Sequence, residues 1–332
     1  MNNTFIIIDT ANLFHRARHG VRGDADLKIG MALHVIFNAV KNCWYNFQGT
    51  HLVFCFEGRS WRRDYYQPYK MNRELKRQTL TPKELEEEKL FYEVLTEFQE
   101  FITNKTNVTV LQHPKLEGDD LIAGFVQNHT GDKHIIISSD SDFQQLISTN
   151  VSQYDGMTDT HITNDGYFDA KGNQVLDKNK NPKLPIDPEW MLFEKCIRGD
   201  TSDNIFSAYP NVRLKSSKNK IGLLEAYNDR NSKGYAWNNL MLQRFSHHDG
   251  TEHRVIDDYN RNRMLIDLTQ QPDDIRQIIN EVINENAKPK KISQVGIRMR
   301  KFCSSYDMKK LVENINYVAE PFQSNYPPPS TN

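Results

Sequence analysis

The chain has little of what would mark a secreted, membrane or metal-thiolate protein. It carries four cysteines in 332 residues, Cys43, Cys55, Cys196 and Cys303, and none stands at metal-ligand spacing from another. That excludes a disulfide framework and a cysteine zinc site, and four reduced thiols are expected. His247, His248 and His253 sit close in sequence, but no second ligand motif accompanies them, so they do not amount to a zinc site. No apolar run approaches bilayer-spanning length. The opening MNNT leads straight into an apolar stretch and leaves no place for a signal peptide, so a cytoplasmic protein without membrane partners is expected. No internal repeat is evident. An excess of one charge sign is also missing, because 42 basic residues meet 43 acidic ones for a net charge of −1. A global basic balance is therefore not available to hold nucleic acid, and local charge has to decide. With 38% hydrophobic residues the chain has enough apolar material for one large domain or two moderate ones.

What is present is acid in a pattern. Asp9, Glu57, Glu117, Asp119, Asp140, Asp142, Asp200 and Asp203 fall in five short segments. Four segments follow or end an apolar run of strand type: FIII, LVFCF, VTVLQHPKL and HIIISS. Strands are expected at 5–9, 51–57, 108–112 and 134–139. Between them, residues 26–47 and 118–128 read as helices, and Thr81-Pro82-Lys83-Glu84 reads as the capped start of another, with Asn12 as a cap for the turn after the first strand. Strands alternating with helices give an α/β fold with a parallel, doubly wound sheet. In such a sheet the carboxyl ends of the strands share one edge, so these acids converge there. Converging like charges repel unless a cation compensates them, and oxygen-only ligation selects Mg²⁺ or Mn²⁺. Taken singly, Asp9 or Asp140 is explained by a helix cap, Asp119 and Asp120 by a helix start, and Asp200 and Asp203 by a turn after Gly199. Taken together and in this order, they read as the site of a metal-dependent phosphodiesterase.

Local charge supports that reading. In RSWRRDYYQPYKMNRELKR, residues 59–77, seven basic residues (Arg59, Arg62, Arg63, Lys70, Arg73, Lys76, Arg77) face two acidic ones. Trp61, Tyr65, Tyr66 and Tyr69 interleave with them. Cations neutralise phosphates and aromatic faces stack bases, so this stretch reads as a nucleic-acid interface. From 155 to 188 the composition shifts to Asn, Asp, Gly, Lys and Pro, and YFDAKGNQVL reads as a surface hairpin. EWMLFEKCIRGD reads as a helix ending near Gly199. Beyond about 206 the pattern is helical, with basic patches KPKK at 288–291 and RMRK at 298–301, and AEPFQSNYPPPSTN reads as a mobile tail.

Five segments now carry a resemblance: FIIIDTANL, VFCFEGRSWRRDYYQPYKMNR, LEGDDLIAGFV, IIISSDSDFQQLI and CIRGDTSDNI. Their order and spacing over residues 4–205 resemble the flap endonuclease and 5′-to-3′ exonuclease superfamily, with WRRDYY and YKMNR resembling its T-even-type phage ribonuclease H branch. The resemblance implies a PIN-like parallel-sheet nuclease domain over 1–205 with a helical arch at about 59–105. It implies a C-terminal helical DNA-binding domain over 206–318, followed by a Pro-rich tail over 319–332. It assigns Asp9, Glu57 (where the family usually has aspartate), Glu117, Asp119 and Asp140 to a first Mg²⁺. Asp142, Asp200 and Asp203 fall to a second, with Asp140 in reach of both, Mn²⁺ as a substitute and Asp120 behind the ligands. Lys70 and Arg73 are to meet the scissile phosphate, and Tyr69 a terminal base. Arg59, Arg62, Arg63, Lys76 and Arg77 are to hold nucleic acid. The Gly-rich duplex-gripping loop of cellular relatives is absent, so Arg213, Lys215, Lys218 and Lys220 are to hold the duplex by charge instead.

The implied activity is 5′-3′ exonuclease and 5′-flap endonuclease action on DNA and RNA–DNA hybrids, as in RNA primer removal during lagging-strand replication. The implied setting is a monomer in the cytoplasm (the host's, for a phage chain), with a single-strand-binding protein or sliding clamp as partner. A non-catalytic DNA-structure binder and a PIN-type ribonuclease are the alternatives. The intact acidic set opposes the first, since unused clustered carboxylates destabilise a fold, and the long basic-aromatic arch opposes the second.

Overall fold

The apolar runs that precede the acids form adjacent strands of one sheet. The computed structural model describes residues 3–20, 25–169, 171–210, 212–215, 221–246 and 250–328, apart from the side chains of 18–20 and 25–28. Lys218, Lys220, His247 and His248 lie outside the described residues. The strands are β1 (Thr4–Asp9), β2 (His51–Cys55), β3 (Thr109–Leu111), β4 (Lys133–Ile137), β5 (Val151–Asp155), β6 (Thr160–Thr163) and β7 (Gly166–Asp169). Their order across the sheet is β3-β2-β1-β4-β5-β6-β7. The first five in that order are mutually parallel, whereas β6 and β7 are antiparallel additions at one edge. The parallel sheet read from the sequence is thus present in β1 to β5, with β6 and β7 added to it antiparallel. VSQYD and the short strands after it lack the continuous apolar runs of β1, β2 and β4, which are buried on both faces.

The expected chain-order division into 1–205, 206–318 and 319–332 gives way to two interleaved units. The first comprises Met1–Ser60, Leu80–Ile186 and Asp273–Asn332, and the second Trp61–Thr79 and Asp187–Pro272. Chain order fails as a guide because the C-terminal helices spend their apolar faces on the sheet's own core. Val295, Met299, Leu311, Val318 and Phe322 join Ile6, Phe37, Phe54 and Phe98 in one buried cluster. The supposed mobile tail is corrected for the same reason. Residues up to Gln323 complete a helix (Ile315–Gln323) whose Phe322 is fully buried, and the Tyr326 ring packs on those of Phe5 and His51. The stretch 59–105 is helical, but 61–79 belongs to the second unit and Pro82–Lys105 to the first.

Local sequence signals explain the helix ends. Thr81 and Glu84 exchange the two hydrogen bonds of a capping box at the start of Pro82–Lys105. The first helix begins at Thr10, so Asn12 lies inside it and is not the cap. Its backbone N–H instead donates to Asp9 Oδ1 at 3.1 Å. One short repeat was not evident in the sequence. In DAKGNQVL and DKNKNPKL, which begin at Asp169 and Asp177, the N–H groups of Lys171 and Asn173 and those of Asn179 and Asn181 turn back to the aspartate in the same way, and the stretch prolongs the antiparallel meander beyond β7. The second unit packs Tyr69, Phe193, Ile197, Leu223, Trp237, Leu240 and Leu265 into a separate core. It also contains an unexpected two-stranded ribbon, Arg244–Ser246 with Glu252–Arg254, in the region read as purely helical.

Candidate active site

Strand register brings the first acids together. Asp9, the last residue of β1, is paired with Cys55, the last of β2, and Ile8 with Ile137 of β4. The segments leaving β1, β2 and β4 therefore share an edge. Asp9 is buried, and its Oδ2 accepts a 2.7 Å hydrogen bond from Ser138 Oγ just past β4. The same hydroxyl accepts from the Asp140 N–H at 3.0 Å, and Asp140 Oδ1 caps the following 3₁₀ turn by accepting from the Asp142 N–H at 2.9 Å. Gln153 steadies this corner by donating to the Ser138 and Asp140 carbonyls. Asn12 Oδ1 accepts from both the N–H and the hydroxyl of Ser139.

Glu57 and Glu117 meet because the chain after β2 runs beside the chain after β3. The Phe56, Gly58 and Arg59 N–H groups donate to the Leu111, Leu116 and Pro114 carbonyls. Glycine is needed at 58, where a Cβ would overlap the His113 carbonyl oxygen. Glu57 Oε2 accepts from the Gly118 N–H at 3.2 Å, and buried Glu117 accepts from Ser60 Oγ at 2.6 Å. Asp120, also buried, accepts from the Glu117 N–H at 3.1 Å, so it steadies the backbone of a candidate ligand. The Cys55 thiol registers the convergence. Burial pushes its pKa up, and the charges of Asp9, Asp119 and Glu57 push it further.

The donors gathered here are carboxylate oxygens, and the one nearby thiol stays protonated, which makes it a poor ligand. That chemistry fits a hard divalent cation. Among the described residues, no three His, Cys, Asp or Glu side chains are already arranged to hold a metal ion. The donor set therefore fits by type, without a preformed cage.

Asp200 and Asp203 belong to the second unit. The helix Pro188–Arg198 ends at Gly199, whose φ of 76° suits glycine, and Asp200 and Ile205 then exchange backbone hydrogen bonds of 2.8 and 2.7 Å. Lys195 Nζ lies 2.7 Å from Asp200 Oδ2, and Ser202 donates both its N–H and its hydroxyl to Oδ1. Burial alone would raise the Asp200 pKa, but the hydrogen bonds from Lys195 and Ser202 outweigh it and hold it below the ordinary value. Asp203 gathers the basic segment of its own unit. Arg73 Nη2 lies 2.7 Å and Lys70 Nζ 3.8 Å from its carboxylate, and the Tyr69 hydroxyl donates to it at 3.0 Å. The Lys70 N–H donates to the Asp203 carbonyl, and Asn72 donates to those of Thr201 and Ser202.

Two expected nucleic-acid contacts are corrected. Tyr69 is 3% exposed within the second unit's core, so its face is not available to a base. Arg62 is 2% exposed and donates through Nε to the Leu265 carbonyl at 2.7 Å, which makes it a packing residue. Arg59, Lys76, Arg77, Arg213 and Lys215 are exposed, and Arg63 is partly exposed beside Glu74. His253 is engaged by Asp258 and Thr251, which accounts for it without a metal. Lys290, in the KPKK patch, turns inward and donates to the Val108 carbonyl at 2.8 Å. Ser60, Ser138, Gln153 and Lys195 were missed. Ser138 lies inside a quoted motif, but nothing in the spacing told it from Ser139.

The chain is similar to known proteins in sequence and in fold. The family described as 5′-3′ exonuclease, N-terminal resolvase-like domain, matches residues 4–173. The flap endonuclease Xni of Shewanella woodyi is 31% identical over 229 residues, covering 68% of this chain and 79% of that protein. DNA polymerase I of Rhizobium leguminosarum is 30% identical over 184 residues, covering 54% of this chain; the chain spans only 15% of that protein's length. Among solved structures, the T5 5′-exonuclease with bound divalent metal ions (zinc) matches with a TM-score of 0.58 at 20% identity, over 86% of this chain and 99% of that one. This last likeness bears on the fold.

Proposed function

Because the chain belongs to the 5′-3′ exonuclease family, we propose that it hydrolyses phosphodiester bonds at 5′ ends and 5′ flaps of DNA and RNA–DNA duplexes with the help of divalent cations. The observation that carries this is the shared strand edge, where Asp9 ends β1 beside Cys55 at the end of β2, Ser138 just past β4 donates to Asp9, and Glu57 accepts from the Gly118 N–H. The names of the Xni relative and the metal-bound T5 exonuclease point the same way.

In this reading Asp9, Glu57, Glu117, Asp119 and Asp140 would hold one Mg²⁺, and Asp142, Asp200 and Asp203 would hold a second. Such ions supply an activated water and neutralise charge on the phosphate and the leaving oxygen. The chain's own residues supply position. Ser138 fixes Asp9 and the Asp140 backbone, Ser60 fixes Glu117, and Asp120 fixes the backbone of Glu117. Lys70 and Arg73, held by Asp203 as the structure stands, offer their charge to the reacting phosphate when substrate competes for them. Arg59, Arg63, Lys76 and Arg77, with Arg213, Lys215, Lys218 and Lys220, hold the substrate backbone through charge. Action as a cytoplasmic monomer beside a single-strand-binding protein or sliding clamp belongs to the same proposal. The test is cleavage of 5′-labelled flap, nicked and RNA-primed duplexes with and without Mg²⁺. Shortened 5′ products that vanish with chelator support the proposal, whereas intact substrate at every Mg²⁺ or Mn²⁺ concentration refutes it.

A further inference from the structure

Beyond β7 the first unit carries an arm with its own chemistry. In its two octads Asp169 Oδ1 accepts from the Lys171 and Asn173 N–H groups, and Asp177 Oδ1 accepts from those of Asn179 and Asn181, all at 2.8–2.9 Å. The Asp169 N–H donates to the Asn173 carbonyl, and the Asp177 N–H to the Asn181 carbonyl. The two turns are thus equivalent position by position, with one telling difference. Gly172 takes the left-handed backbone in the first turn at φ 81°, and Lys180 takes it in the second at φ 65°. A lysine there carries a conformational cost that glycine avoids, so the sequence keeps a cation at a position the fold would give to glycine.

Lys180 is not isolated. Lys171, Lys178, Lys180 and Lys183 are all exposed, and among the described residues none of them enters an ion pair. Asp169 and Asp177 are the only acids between 166 and 186, and both are engaged by their own turns. The arm therefore presents positive charge outward. Its rings are poorly placed for stacking, since Tyr167 and Phe168 are half-buried and Lys183 covers Tyr167 at 4.6 Å. Point cations without a free aromatic face suit phosphates rather than unpaired bases. The second octad also lies beyond the residues matched by the family.

We propose that residues 171–184 form a sequence-independent contact on the phosphate backbone of the duplex part of the substrate, additional to the basic segment at 59–77. The inference rests on the nuclease reading above. Its test replaces Lys171, Lys178, Lys180 and Lys183 together by Gln and measures binding of a labelled 5′-flap duplex in chelator across a salt series. Single-turnover cleavage in Mg²⁺ at saturating enzyme is measured alongside. The expected result is affinity reduced about tenfold or more near 0.15 M salt, and a salt slope shallower by about 2–4 units, at roughly 0.9 per lost phosphate contact. The saturated cleavage rate should be unchanged. Lys180→Gly keeps the turn, so it should melt no lower than the wild type while making the slope shallower by about 0.9. Wild-type affinity and slope in the four-lysine variant, with the wild type binding and cleaving normally, would overturn the arm alone. A wild type that neither binds nor cleaves the duplex would overturn the nuclease reading and the arm with it.

Discussion

Gly199→Ala tests how the turn carrying Asp200 and Asp203 is built. At Gly199 φ is 76° and ψ −173°, a region occupied essentially by glycine alone, so any side chain there costs about 1–3 kcal/mol. A Cβ would also overlap the Ile205 carbonyl oxygen and stand 2.7 Å from the Phe206 carbonyl carbon and 2.8 Å from the Ser207 nitrogen. These are backbone atoms held by the Asp200–Ile205 bridge, so no side-chain rotation relieves the overlap, and a further cost of about 1–3 kcal/mol follows. The total is about 2–6 kcal/mol. Gly172→Ala is the control, because its φ of 81° is also left-handed but nothing lies within 4 Å of the added carbon. It should lose only the conformational part, about 1–2 kcal/mol. Urea unfolding followed by tryptophan fluorescence suits the comparison, since Trp61, Trp190 and Trp237 lie in the second unit with Gly199 and Trp44 lies in the first with Gly172. If the two variants were destabilised equally, to within about 0.5 kcal/mol, the overlap argument would be wrong. Flap cleavage by Gly199→Ala should also fall, because displacing the turn moves both carboxylates.

Three other outcomes follow from the same structure. Asp9→Asn should cut Mg²⁺-dependent cleavage by about 100-fold or more, while Ser138→Ala should cost about 1–3 kcal/mol of stability and a smaller share of the rate; equal turnover in Asp9→Asn and wild type would remove Asp9 from the site. Lys70→Ala and Arg73→Ala should lower the single-turnover rate more than duplex affinity, and a loss of affinity alone would make them docking residues. Burial lowers the pKa of His51 and His134 to about 4 from 6.5, so the unfolded chain binds more protons between those values. Their stability contribution is therefore full above about pH 6.5 and is lost as pH falls towards 4, by about 1.4 kcal/mol per pH unit for each proton. His134 leaves both ring nitrogens without a hydrogen bond in a fully buried site. His134→Phe should then raise the unfolding free energy measured in urea at neutral pH by about 1–3 kcal/mol and flatten the pH slope; an unchanged slope would contradict this.

Much of the framework under the candidate site was written in local pattern. Apolar runs ending in acid marked β1, β2 and β4, because strands buried on both faces need uninterrupted hydrophobic sequence, and register then carried Asp9 and the segments after Cys55 and Ile137 to one edge. The capping box at Thr81 and Glu84 was equally legible, since its partners lie three residues apart. What sequence pattern did not show depends on which side of an element meets a core. Tyr69 and Arg62 have the composition of a nucleic-acid surface, yet they are buried against residues more than a hundred positions away. Lys290 belongs to a basic run, yet it is turned in to a carbonyl. The antiparallel strand β6 escaped because THIT carries no apolar run, whereas β7 opens the hairpin read at YFDAKGNQVL. The sequence by itself determined which acids the chain carries, their order and the strand ends they follow. Only the tertiary structure decided which unit holds each acid, that Ser138 and Ser60 grip Asp9 and Glu117, and that Lys70 and Arg73 face Asp203. Those pairings join residues from 57 to 133 positions apart, and long-range packing, which no local periodicity records, selects them.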